Sequence, residues 1–157
     1  RDLENLLAAE FAECDVLAMA AAVADFIPEP IPERLHRGVG EASVRLLPGR
    51  DLLAGLAALR SNQTIVAFAA ETEDLEDRGR RKMETKGADL VVVNDVGRSD
   101  VGFDAAQNEV LLIARDGPAE PISRRSKREV ADRIWDSVLR IRSSARRALR
   151  SPLAAGS

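Results

Sequence analysis

"TIVAFAAET", residues 64–72, is an apolar run that stops at a carboxylate. No polar residue interrupts it between Ile65 and Ala70. A strand with one wet face alternates apolar and polar, whereas a strand covered on both faces reads as continuous apolar sequence, the habit of parallel sheets. Two other stretches read the same way: "DVLAMAAAV" at 15–23 and "DLVVVND" at 89–95.

Amphipathic helix patterns stand between and around these runs. Residues 2–13 place Leu3, Leu6, Leu7 and Phe11 on one helical stripe. "RDLLAGLAALR" at 50–60 is a second helix. "TEDLEDRGRRKMETKG" at 72–87 is a third, with acids first, bases last and Gly87 to stop it. Thr72 is a suitable N-cap for that helix. "EVLLIARDGPAEPIS" at 109–123 reads as two strands around a turn at Asp116-Gly117. A last helix opens on Ser126 and Glu129, which fit a capping box, and Val130, Ile134, Val138 and Ile141 form its stripe. Alternating helices and doubly buried strands predict an α/β three-layer sandwich, its sheet mainly parallel with an antiparallel hairpin extension. Residues 27–41, with three prolines and two glycines, form a long connection, and "ASVRLL" at 42–47 suits a short edge strand.

Length predicts one domain in the 157 residues. No apolar run approaches the roughly 20 residues that span a bilayer. Cys14 is the only cysteine, so no internal disulfide forms, which suits a reducing cytoplasm. The net charge is −3; the five arginines and absent acids from Arg140 onward leave −8 on residues 1–139. An acidic body argues against nucleic-acid binding. The ordered domain is expected over 1–141, with an Arg/Ser/Ala-rich tail over 142–157 expected to be disordered. No glycine-rich dinucleotide or phosphate loop, Cys/His metal cluster or Ser-His-Asp arrangement is present.

Open α/β sheets bind ligands beyond the carboxyl ends of their strands. Those ends deliver Asp25, then Glu71, then Asn94 and Asp95, each behind small or aliphatic residues. Each also suits a turn or cap, and the expectation is that Asp25, Glu71 and Asn94 share one rim and face one cleft. Lys82 and Lys86 stand four apart on one helix face, as an anion site or a solvated basic face would have them. At about 1.5 Å per residue, Lys82 stands roughly 15 Å along the helix from the strand exit.

The ordered set "AAAVADF", a Pro-Glu connection followed by cations, "FAAET", two lysines on the next helix, "VVVNDV" and "GF" resembles the phosphopantothenate–cysteine ligase domain of the bifunctional coenzyme A biosynthesis flavoproteins. The resemblance covers residues 1–140. It implies a Rossmann-like sheet and a cytoplasmic, homodimeric, CTP- and Mg²⁺-dependent ligase acting on 4′-phosphopantothenate and cysteine. FMN enters only if a decarboxylase domain stands elsewhere in the parent. The resemblance also implies nucleotide contacts at Ala20, Ala21, Asp25, Asp51, Phe68, Lys82 and Lys86. The metal ligands are left unassigned. Two departures stand out: Arg34 replaces the family's lysine that acts on the acyl-cytidylate, and "GRDLL" at 49–53 replaces an "NPDIL"-like segment. The family's amino-terminal strand, glycine-rich turn and asparagine are expected to be missing. The alternative is a degenerate homologue that binds nucleotide or assembles without catalysing.

Overall fold

The computed structural model describes residues 2–31, 43–97 and 107–150, with backbone alone from 148 onward. Its elements are α1 (Asp2–Glu10), β1 (Val16–Met19), β2 (Phe26–Pro28), β3 (Leu46–Pro48), α2 (Leu52–Leu59), β4 (Thr64–Glu71), α3 (Leu75–Lys86), β5 (Leu90–Asp95), β6 (Gln107–Ala114), β7 (Glu120–Ser126) and α4 (Lys127–Arg150). The main sheet runs β1-β4-β5-β6-β7. Its first three strands are parallel, and β6 and β7 extend it antiparallel. Helices cover both faces, as the apolar runs predict.

Two clusters form the core, one on each face of the sheet. Phe11, Leu53, Leu56, Ile65, Ala67, Met83, Val91, Val93 and Ile113 join α1, α2 and α3 to one face. Val66, Leu90, Val92, Val110, Leu112, Ile122, Val130 and Val138 join α4 to the other. Ile65, Leu90, Val91, Val93 and Ile113 are fully buried. Helix α3 approaches the sheet closely because residue 79 is glycine: a Cβ there would stand 2.4 Å from Ile113 Cδ1 and 2.7 Å from Val93 Cγ2. Gly87 ends α3 in the left-handed region at φ 62°, as the sequence predicts.

Three local expectations are corrected. The run at 15–23 forms a strand only over Val16–Met19, and Ala20–Val23 are exposed. Among the described residues β1 pairs on one side alone, with β4, and a strand with one neighbour is neither so long nor so deeply covered. The segment at 42–47 does not edge the main sheet; β3 pairs antiparallel with β2 in a separate two-stranded ribbon. Asp74, at φ 47° and without a side-chain cap, takes the N-cap position of α3 in place of Thr72.

Helix α4 crosses the expected boundary at residue 141. The Ser126–Glu129 capping box forms as predicted, and Val130, Ile134, Val138 and Ile141 pack on the sheet. The helix then continues to Arg150. Arg142 gives a reason: its guanidinium donates to the Asp15 carbonyl (2.6 Å) and to the Asp15 carboxylate, where β1 begins. That anchor ties the described stretch of α4 after residue 141 to the start of β1, and residues 151–157 lie outside the described residues.

Candidate functional site

The parallel pairing of β1, β4 and β5 brings their carboxyl ends to one edge of the sheet. The side chains there divide between its two faces. Ile65, Ala67 and Ala69 face α1–α3, so by alternation Glu71 does too; Val66 and Phe68 face α4. The register sets Ala70 against Asn94 and Glu71 against Asp95. Asn94 therefore faces the α4 side and Asp95 the α3 side. Glu71 and Asn94 share an edge but point to opposite faces, which corrects the expectation that they line one cleft.

Each group at this edge has local partners. Arg78, one turn into α3, pairs with Glu71 at 3.6 Å and Glu73 at 2.7 Å. It is a cation at the strand exits, and its place just after the end of β4 is a usable sequence signal for it. Asn94 donates to the Ala69 carbonyl (3.3 Å) and accepts from Asn108 (2.7 Å). The Asp95 carboxylate accepts from the Gly97 N–H at 3.0 Å, closing a turn. These contacts give Glu71, Asn94 and Asp95 structural work.

A second group of candidates gathers around the base of the β2–β3 ribbon. The Asp25 carbonyl accepts from the Gly49 N–H at 2.7 Å, which pins the segment after β1 to the residues just before α2. Asp25, Ala20 and Ala21 are exposed. Asp51 caps α2, its carboxylate accepting from the Ala54 N–H at 3.1 Å. The same carboxylate accepts from Lys86 Nζ at 2.6 Å, from the far end of α3. Partial burial is the strongest single influence on Asp51 and opposes ionisation. The hydrogen bond and charge of Lys86 and the N–H groups of Ala54 and Leu53 together outweigh it and hold the carboxyl below its ordinary value of 3.8. Lys82, half-buried one turn earlier, makes no ion pair among the described residues.

The structure thus brings Asp25, Asp51 and Lys86 toward one region and leaves Phe68 apart from it. Phe68 lines a small apolar recess of about 120 Å³ with Val16, Ala18 and Trp135, under α4 and across the sheet from Lys82 and Lys86. Arg34 lies outside the described residues, as does most of the proline-rich connection and the Gly102-Phe103 pair. A larger cavity of about 860 Å³ opens at the opposite edge, between the turn after β6 and the middle of α4. None of the nominated residues lines it. No group of three or more His, Cys, Asp or Glu side chains among the described residues is placed to hold a metal ion. No described helix is long and apolar enough to cross a membrane.

The domain is an α/β sheet with a small two-stranded ribbon between β1 and an aspartate-capped α2, and a lysine-bearing α3. Residues 1–141 match the model of the DNA/pantothenate metabolism flavoprotein C-terminal domain, and the chain belongs to that family. The coenzyme A biosynthesis bifunctional protein CoaBC of Mycobacterium tuberculosis is 39% identical over 137 residues, 80% of this chain and 32% of the relative. CoaBC of Bacillus subtilis is 31% identical over 138 residues, 87% of this chain and 34% of the relative. A cysteine/cysteine sulfinic acid decarboxylase from an unknown prokaryotic organism is 34% identical over 131 residues, 82% of this chain and 36% of the relative. The chain spans about a third of the length of these relatives. Among solved structures, the C-terminal domain of a CoaBC superposes with a TM-score of 0.69 at 26% identity, covering 87% of this chain and 59% of that one.

Proposed function

We propose that this chain is the ligase domain of a coenzyme A biosynthesis protein, joining 4′-phosphopantothenate to cysteine with CTP. The observation that carries the reading is the contact of Lys86, one turn beyond Lys82 on α3, with Asp51 ahead of α2 in a chain of this family. In the first step a carboxylate oxygen of 4′-phosphopantothenate attacks the α-phosphorus of CTP, forming an acyl-cytidylate and releasing pyrophosphate. The cysteine amine then attacks the acyl carbon; CMP leaves with the electron pair of the broken C–O bond, and the amine loses a proton as the amide forms. Negative charge gathers on phosphate oxygens in both steps, and fixed cations stabilise it. Lys82 and Lys86 supply such cations on α3, and Arg34 supplies one from the connection. Asp25 accepts hydrogen bonds from the nucleotide, and the exposed backbone of Ala20 and Ala21 lets it approach. Mg²⁺ arrives with the CTP, since an ion of this kind rides on substrate phosphates and asks only one or two carboxylates of the protein.

The working unit is a homodimer in the cytoplasm. Phe26, Ile27 and Leu46 on the ribbon, with Ile31 and Val44 beside it, are each at least half exposed. A two-stranded ribbon is marginal alone in water, and an apolar patch of this kind marks a contact surface. Sedimentation should give a dimer; a monomer at all concentrations removes the assembly. Calorimetric titration of the protein with CTP and Mg²⁺ should show saturable binding, and 4′-phosphopantothenate should then elicit pyrophosphate release. Arg34→Lys should raise that release, because an ammonium and a planar guanidinium present their charge differently. No heat at millimolar CTP overturns the reading.

A further inference from the structure

Asp51 and Lys86 stand in a relation that the ligase reading leaves open. Their 2.6 Å contact joins the first turn of α2 to the last turn of α3, across 35 residues of sequence. Asp51 is fixed from the other side as well, by its cap on Ala54 N–H, at a helix N-terminus where the dipole favours negative charge. Lys86 is the more covered partner, its side chain 27% exposed against 42% for Asp51. Lys82, on the same face of α3, has no such carboxylate among the described residues. The two lysines are therefore inequivalent: one is open to an arriving anion, and the other is already engaged.

We infer that Asp51 is the resident counter-ion of Lys86, a positioning residue that an incoming polyphosphate displaces rather than a group that grips the nucleotide. The inference rests on the nucleotide reading above and deepens it. A carboxylate and a phosphate oxygen compete for the same ammonium. An anion with a single charge gains little by displacing a fixed carboxylate at 2.6 Å. A triphosphate, already held by Lys82 and carrying several charges, gains more. Asp51 thereby raises the preference of the site for nucleoside triphosphate over monophosphate.

Asp51→Asn tests this cleanly, since Asn caps a helix about as well as Asp and only the charge is lost. The first readout needs no ligand. The ¹⁵N-ammonium signal of Lys86 in the intact chain should shift and exchange faster with water in Asp51→Asn; an unchanged signal overturns the pairing. The second is titration with CTP–Mg²⁺ and with CMP. Asp51→Asn should bind CTP about three- to fivefold more tightly, the scale of one partly exposed ion pair, and CMP by a larger factor. The gain should vanish in a Lys86→Met background. Weaker CTP binding by Asp51→Asn, or an equal gain without Lys86, overturns the inference while leaving the nucleotide reading intact. If the wild-type chain binds no CTP, that reading fails, and inorganic tripolyphosphate becomes the probe. Tighter tripolyphosphate binding by Asp51→Asn then supports the counter-ion role, and its absence overturns it.

Discussion

Asp89→Ala should lower the stability of the domain by about 3 kcal/mol, which for a chain of this size is roughly 6–12 °C in Tm. Asp89 stands where α3 gives way to β5. Its two carboxylate oxygens accept from Arg60 at 2.9 and 2.8 Å, and one of them also accepts from the Ile65 N–H at 2.9 Å. The Asp89 N–H in turn donates to the Ile65 carbonyl at 2.8 Å, so side chain and backbone together lash the start of β5 to β4. Arg115, from the end of β6, adds a weaker ion pair at 4.0 Å and donates to the Ala88 carbonyl at 2.7 Å. Ile65 is fully buried, so truncating Asp89 leaves a backbone donor without its protein acceptor. Arg60, 30% exposed, turns to solvent at smaller cost. Asp89→Asn keeps an acceptor for Ile65 and should lose only about 1 kcal/mol. Thermal melts of the two variants check this; equal losses mean that the charge on Arg60, not the buried N–H, sets the cost.

What was legible in the sequence follows from how local each feature is. Strands β4 and β5 are sandwiched on both faces, and their unbroken apolar runs say so residue by residue. The capping box of α4 and the left-handed Gly87 are likewise written within a few positions. Strand β1 was overestimated because apolar character alone does not tell a central strand from one with a single neighbour. The continuation of α4 beyond Ile141 escaped because it depends on Arg142 meeting Asp15, 127 residues away in sequence. The rim of the sheet shows the same limit in sharper form. Alternation relates Phe68 to Glu71 within one strand, and any reader of the sequence can see that they face opposite ways. Relating Glu71 to Asn94 needs the register between β4 and β5, which is a tertiary fact. The Asp51–Lys86 contact is tertiary in the same way: α2 and α3 come together only once both helices are packed on the sheet.

Lys82→Met should weaken CTP binding by about 10- to 100-fold, the worth of one charge-assisted hydrogen bond to a phosphate. The expectation grows out of the difference between the two lysines. Lys86 begins engaged with Asp51, so part of what it gains from a phosphate is spent on leaving a carboxylate. Lys82 has no carboxylate to leave among the described residues, so its full attraction reaches the ligand. Removing it should therefore cost more than removing Lys86, although both carry the same charge and stand one helical turn apart on α3. Methionine keeps the length and the apolar stem, so the fold is spared while the charge goes. A salt series supplies the second readout: the slope of log affinity against log salt should flatten in Lys82→Met, because one screened cation–phosphate contact is gone. Lys82→Arg should recover part of the affinity, since charge is restored in a different shape. Equal losses in Lys82→Met and Lys86→Met would mean that the Asp51 pair costs the ligand nothing, and an unchanged affinity in Lys82→Met would move the phosphate site off this face of α3.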